Sequence, residues 1–240
     1  MNQHIVTTFA IVAQSAKISF ADAQRIARNC DLQMSQDYFY KWYRRAKVIA
    51  VETLELIPLG AVPVIITDQL DQPDALGFHS DENGQPICYV LAQDLAATCI
   101  TCSHEICEAL TDPHGNRLIV APVNGTPCRV LCEVCDPSEA SSYTPHGGDL
   151  PVSDFYLPEW FDAVPQRFTE YSFTGALLRP GQVIAGGYMS YIGPDNKWYQ
   201  ITYWGDAPQT DGPFDWQRKP GESLREMIDR ETRARRPAQA

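Results

Sequence analysis

The chain has no apolar run long enough to cross a bilayer, and it has few basic residues. It carries 19 Lys and Arg against 30 Asp and Glu over 240 residues, a formal net charge of −11. The first absence excludes a membrane-spanning helix, which takes about 20 consecutive apolar residues. The second argues against nucleic-acid binding through phosphates, because that attraction needs a basic surface. Neither Lys nor Arg precedes the apolar patch Phe9-Ala-Ile-Val-Ala13, so the start makes a poor secretory signal. These readings lead to an expectation of a cytoplasmic protein that binds neither nucleic acid nor membrane, with its acidity serving solubility. Internal repeats and long low-complexity segments are also missing, and the sequence does not indicate an oligomeric state.

Glycine is missing where a zinc knuckle would need it. Cys99-x-x-Cys102 and Cys132-x-x-Cys135 have four-cysteine zinc spacing, but neither pair sits in a Gly-rich turn. Cys99 and Cys102 fall on the apolar side of a helical pattern, where free cysteine acts as a small hydrophobe. Buried thiols are therefore expected, with cysteine-bound zinc as the alternative. Disulfides are not expected in a reducing compartment.

The informative stretch is Leu95 to Pro113. At 100° per residue, Leu95, Cys99, Cys102, Ile106, Ala109 and Leu110 share one side. His104, Glu108 and Thr111 lie opposite, with Glu105 and Asp112 at the edge. Pro113 ends the helix by pushing Asp112 out of the α region. His, Glu and Glu at i, i+1 and i+4 are arranged as on the metal helix of a zinc peptidase, where the i and i+4 side chains bind the ion and the i+1 Glu is the base. Glu108 replaces the usual second His. His104 and Glu108 are the expected first ligands and Glu105 the general base. The third ligand is left open among Asp136, Glu133 and Asp112, with Asp136 favoured because it ends a strand-like run before Pro137. In an extended strand, only one of Glu133 and Asp136 can face the site. Tyr188, Tyr191 and His79 are candidate oxyanion donors. One His with two carboxylates suits Zn2+, with Mn2+ or Ca2+ as alternatives.

Around this helix the pattern predicts an α+β chain. Ser19-Phe-Ala-Asp22 resembles a capping box opening a helix to about Cys30, and Tyr38 to Trp42 has spacing that fits more helix. Lys47 to Leu56 alternates as a strand, and Val62 to Asp68 reads as a buried one. Leu76 to His79 and Ile87 to Leu91 flank Asn83-Gly84 as a hairpin. The C-terminal half is expected to be β-rich, ending in a charged helix from Glu222 to Arg236. The expected divisions are 1–165, 166–215 and 216–240.

Several pieces resemble an uncharacterised family of bacterial and phage proteins. They are Ala75-Leu-Gly-Phe-His79, Ser103-His-Glu-x-x-Glu-x-Leu-x-Asp-Pro113, Gly115-Asn-Arg117, Glu133-Val-Cys-Asp-Pro137, Val152-Ser-Asp-Phe155 and Tyr171-Ser-Phe-Thr-Gly-Ala176. The Ser-His-Glu-x-x-Glu-x-x-x-Asp-Pro core, with a later Glu-x-x-Asp, also resembles metallopeptidases of the zincin class. The resemblance implies a zincin-like domain with a mixed sheet and an edge hairpin on a metal-binding helix. It further implies a metal-dependent hydrolase with a protein or peptide substrate. The alternative is a non-catalytic binding or assembly module that keeps a zincin-like shell.

Overall fold

The computed structural model describes residues 6–72 and 75–232. The end of the expected C-terminal helix, beyond Thr232, lies outside them. The chain is mixed α+β, with a mixed sheet near the start and a β-rich C-terminal part. It divides into two compact units, residues 1–113 with 142–153, and residues 114–141 with 154–240. No helix among the described residues is long and apolar enough to cross a membrane.

The first unit opens with β1 (Val6–Ala13), whose Phe9 to Val12 are buried. Ser19 then caps α1 (Phe20–Leu32): its hydroxyl accepts from the Asp22 amide, and the Asp22 carboxylate accepts from the Ser19 amide. This is the capping box that the sequence indicated, and it satisfies otherwise orphaned donors. Asp31 and Ser35 do not break the helix. It runs on through a π-helical segment (Gln33–Tyr38) into α2 (Phe39–Trp42), and Tyr43 ends it in the left-handed region at φ 53°. The Ser35 hydroxyl donates to the Asp31 carbonyl, so the serine is absorbed into the helix instead of stopping it.

The chain returns as β2 (Arg45–Ala50), parallel to β1. This strand is shorter than the alternating sequence suggested, because Leu54–Leu56 form a single 3-10 turn with exposed side chains. β3 (Val62–Thr67) pairs parallel to the other side of β1 and is the buried strand that its apolar run indicated. β4 (Gly77–Glu82) and β5 (Gln85–Leu91) form the expected hairpin, with Asn83 and Gly84 both at positive φ as a tight two-residue turn requires. β5 pairs parallel to β3, so the sheet order is β2-β1-β3-β5-β4 and β4 is the one antiparallel edge strand.

Only three residues separate β5 from α3 (Leu95–Thr111), which Asp94 caps by accepting from the Ala97 amide. Asp112 closes the helix outside the α region, as the following Pro113 dictates. A two-stranded ribbon from later in the chain, Ser142–Tyr143 with Val152–Ser153, completes this unit. It is pinned to α3 where the Ser103 hydroxyl accepts from the Ser153 amide at 2.7 Å.

The second unit is built on an antiparallel sheet. Its strands β6 (Leu118–Val123), β7 (Thr126–Leu131), β10 (Tyr188–Ile192), β11 (Trp198–Thr202) and β12 (Gln209–Phe214) lie in the order β12-β11-β10-β7-β6; β8 and β9 are the ribbon strands above. Helix α4 (Leu224–Thr232) places Met227 and Ile228 in a core with Leu131, Trp198 and Trp216.

Candidate functional site

Helix α3 and strand β4 supply every member of the site in the first unit. Residues 98 to 111 of α3 are buried except Ile100, so its polar face is as enclosed as its apolar one. His104 keeps the most exposure of the ionisable group at 9%, against 4% for Glu105, 3% for His79 and 0% for Glu108. His104 Nε2 lies 3.3 Å from Glu108 Oε1, the i,i+4 pairing that the helix period predicts. This edge of the site is the one nearest solvent.

The other oxygen of Glu108 faces a different partner. His79 Nδ1 lies 3.7 Å from Glu108 Oε2 and 3.6 Å from Glu105 Oε2. His79 comes from β4, which the hairpin folds back against β5 immediately before α3 begins. Its Nε2 is 3.1 Å from the Asp112 carbonyl oxygen. A carbonyl only accepts, so Nε2 carries the proton and donates. Gly77, two residues earlier on the same strand face, has a spatial role here. A Cβ there would sit 2.7 Å from Glu105 Oε1 and from Thr101 Cγ2. The missing side chain makes the space that the Glu105 carboxylate occupies.

Each ligand atom of His79, Glu105 and Glu108 lies within 4.8 Å of the others, a set able to hold a metal ion. Glu105 Oε2 is buried and has no hydrogen-bond partner among the described residues. The structure thus sets Glu105, the expected base, against His79, and it makes His79 a near neighbour of two carboxylates. The available signal in the sequence was Gly77 and His79 two apart on a hairpin strand just before the helix.

Asp112 is the C-cap of α3, and its carbonyl meets His79. Glu133 and Asp136 belong to the second unit. β7 stops at Leu131, so these two carboxylates are not on an extended strand and the alternation rule does not separate them. Both reach one guanidinium: Arg225 Nη1 is 3.1 Å from Glu133 Oε2 and 2.8 Å from Asp136 Oδ2. Arg225 also donates to Asp229 at 3.2 Å and to the Tyr188 hydroxyl at 3.0 Å. Burial opposes its charge, but Asp229, Tyr188, Glu133 and Asp136 outweigh that and hold the guanidinium protonated, well above its ordinary value. Tyr191 stacks on Tyr199 across β10 and β11, and burial raises its hydroxyl to about 12.

The eight cysteines are all reduced and buried. Cys99 and Cys102 sit in the first unit as the apolar face of α3 indicated, and Cys132 and Cys135 sit in the second. Burial pushes the Cys102 thiol well above its usual range.

No protein-family model matches the chain, and no curated protein or solved structure matches it either.

Proposed function

We propose that the first unit is a metal-dependent hydrolase of zincin-like design acting on a peptide or protein substrate. The observation that carries this reading is the His104–Glu108 pair, 3.3 Å apart on one face of a buried helix, with His104 at the edge nearest solvent. The fold supports it through element order. A mixed sheet with one antiparallel edge strand is followed directly by the helix that bears the pair. An edge strand beside such a helix can hold an extended chain by main-chain hydrogen bonds.

The donor set fits a divalent cation. Ligands bound at 2.0–2.2 Å in a tetrahedral arrangement are about 3.3–3.6 Å apart, and the His104–Glu108 separation falls in that range. Both groups are enclosed, so the Glu108 charge requires compensation that solvent does not supply. A Zn2+ or Mn2+ ion there would supply a Lewis acid and an activated water. The protein's part is to fix the two ligands by the rigid helix and to limit access to the side of His104.

The test is metal content and turnover of an unfolded protein substrate for wild type, His104→Ala and Glu108→Gln. Loss of both properties in the variants is the expected result. Full metal content and full turnover in His104→Ala would refute the assignment.

A second reading, a non-catalytic binding or assembly module, is favoured by one observation. Glu133 and Asp136, the expected further ligands, both pair with Arg225 within their own unit. A protein that holds metal through His104 yet shows no turnover on any peptide offered would favour this second reading.

A further inference from the structure

The group formed by His79, Glu105 and Glu108 lies deeper than the His104–Glu108 pair and meets the other oxygen of Glu108. The contacts of His79 constrain what joins it to the two glutamates. Its Nε2–H donates to the Asp112 carbonyl, which fixes the ring and turns Nδ1 toward Glu105 and Glu108. A backbone carbonyl in this role is the usual outer support of a metal-bound imidazole, setting the tautomer whose other nitrogen is the coordinating one. In that tautomer Nδ1 faces the carboxylates of Glu105 and Glu108.

The distances select among the ways of resolving this. At 3.6 and 3.7 Å, Nδ1 is too far from either carboxylate for a direct hydrogen bond. The same distances are within a few tenths of an ångström of the spacing between neighbouring ligands on one tetrahedral ion, about 3.3–3.6 Å. Independently, Glu105 Oε2 is enclosed, points into this space and has no hydrogen-bond partner among the described residues. Gly77 keeps clear the volume that the Glu105 carboxylate needs, a volume that any larger residue on β4 would fill.

We propose that His79, Glu105 and Glu108 form an inner site for a divalent cation, zinc or manganese, and that Glu108 bridges it to the outer ion at His104. The inner site stands apart from the function proposed above, and the bridge through Glu108 to the outer ion rests on that reading. One nitrogen and two carboxylate oxygens suit zinc or manganese better than a soft ion. Burial gives the inner ion a structural part, fastening edge strand β4 to α3. A carboxylate between two ions about 3.5–4 Å apart is the arrangement found in two-metal hydrolytic sites.

The test uses the full-length chain, stripped with chelator, reloaded with Zn2+ or Mn2+, freed of excess ion and assayed by elemental analysis. Wild type is expected to keep about two equivalents, as two-metal sites do. His79→Ala and Glu105→Gln should each keep about half the wild-type content, as should His104→Ala, and Glu108→Gln should fall below all three. Glu105→Gln keeps the shape of the side chain and guards against a folding defect in the His79 variant; circular dichroism of the apo forms checks both. If His79→Ala and Glu105→Gln hold as much metal as wild type with unchanged affinity, the inner site is overturned. A single ion that is lost in His104→Ala but kept in both inner variants overturns the inner site and leaves the proposed function standing. A single ion lost in the inner variants but kept in His104→Ala supports the inner site and removes the outer one. Wild type without bound metal overturns both.

Discussion

Replacing Arg225 by alanine should loosen the C-terminal helix and destabilise the second unit. The guanidinium is almost wholly enclosed, with side-chain exposure of 7%, and it serves Glu133, Asp136 and Asp229 together. Removing one partner from a buried ion cluster costs about 3–5 kcal/mol, because the stranded charges stay desolvated. Against that loss stands the apolar burial of α4. Met227 and Ile228 are 1% and 2% exposed, and each contributes about 1.5–3 kcal/mol. The two effects are of similar size, so α4 should become marginally attached rather than fully detached. With a urea slope of about 1–3 kcal/mol per molar, the unfolding midpoint should fall by about 2 M. Tryptophan fluorescence is the suitable probe, because Trp160, Trp198, Trp204 and Trp216 lie in the second unit and only Trp42 in the first.

Arg225→Met is the control. It refills the space of the stem but leaves the same three carboxylates, so it should be nearly as unstable as the alanine variant. The pH dependence carries its own sign. A stranded, buried carboxylate takes up protons more readily folded than unfolded, so the deficit of either variant should shrink as pH falls through the carboxylate range. A midpoint within about 0.3 M of wild type in Arg225→Ala would refute the account, since the cluster would then contribute under about 1 kcal/mol.

Gly77→Ala should cost about 1–3 kcal/mol, because its methyl would press on Glu105 Oε1 and Thr101 Cγ2; equal thermal stability to wild type would contradict the packing described. Ser19→Ala removes the cap of α1 and should cost about 1 kcal/mol, measured by chemical denaturation. The Ser19 hydroxyl and amide hold the Asp22 carboxyl below its usual value, so their contribution is present above the carboxylate range and lost as pH falls through it; the variant should show less of that loss. Burial, with the Glu82 carboxylate beside it, lifts the Tyr89 hydroxyl to about 12, and Glu82→Gln should bring its ionisation to lower pH in an ultraviolet titration. Thiol reagents should leave Cys102 unmodified in the native protein and react once it is unfolded; rapid native reaction would show that the burial is wrong.

Local chemistry determined a good part of this protein. Ser19 and Asp22 begin α1, Asp94 and Pro113 bound α3, and Asn83-Gly84 turns the β4–β5 hairpin. Each acts within a few residues, through a hydrogen bond, a ring clash or a left-handed turn, so each is legible from neighbours alone. The pairing of His104 with Glu108 is of the same kind, because one helical turn brings i and i+4 together.

Tertiary structure decided what local pattern does not carry. The sequence ends the first helical pattern near Cys30, yet the chain continues through a π segment, with the Ser35 hydroxyl donating to the Asp31 carbonyl. Strand alternation would let only one of Glu133 and Asp136 face a given side, but β7 ends at Leu131 and both turn to an arginine 89 residues or more away. His79 lies 26 residues before Glu105, and no helical or strand period links the two. Their meeting depends on the register of β4 on β5 and on the short connection that lays α3 beside that hairpin. Sequence alone specified the helix with its carboxylates and the His104–Glu108 pair, and folding of the sheet brought His79 to face Glu105 and Glu108.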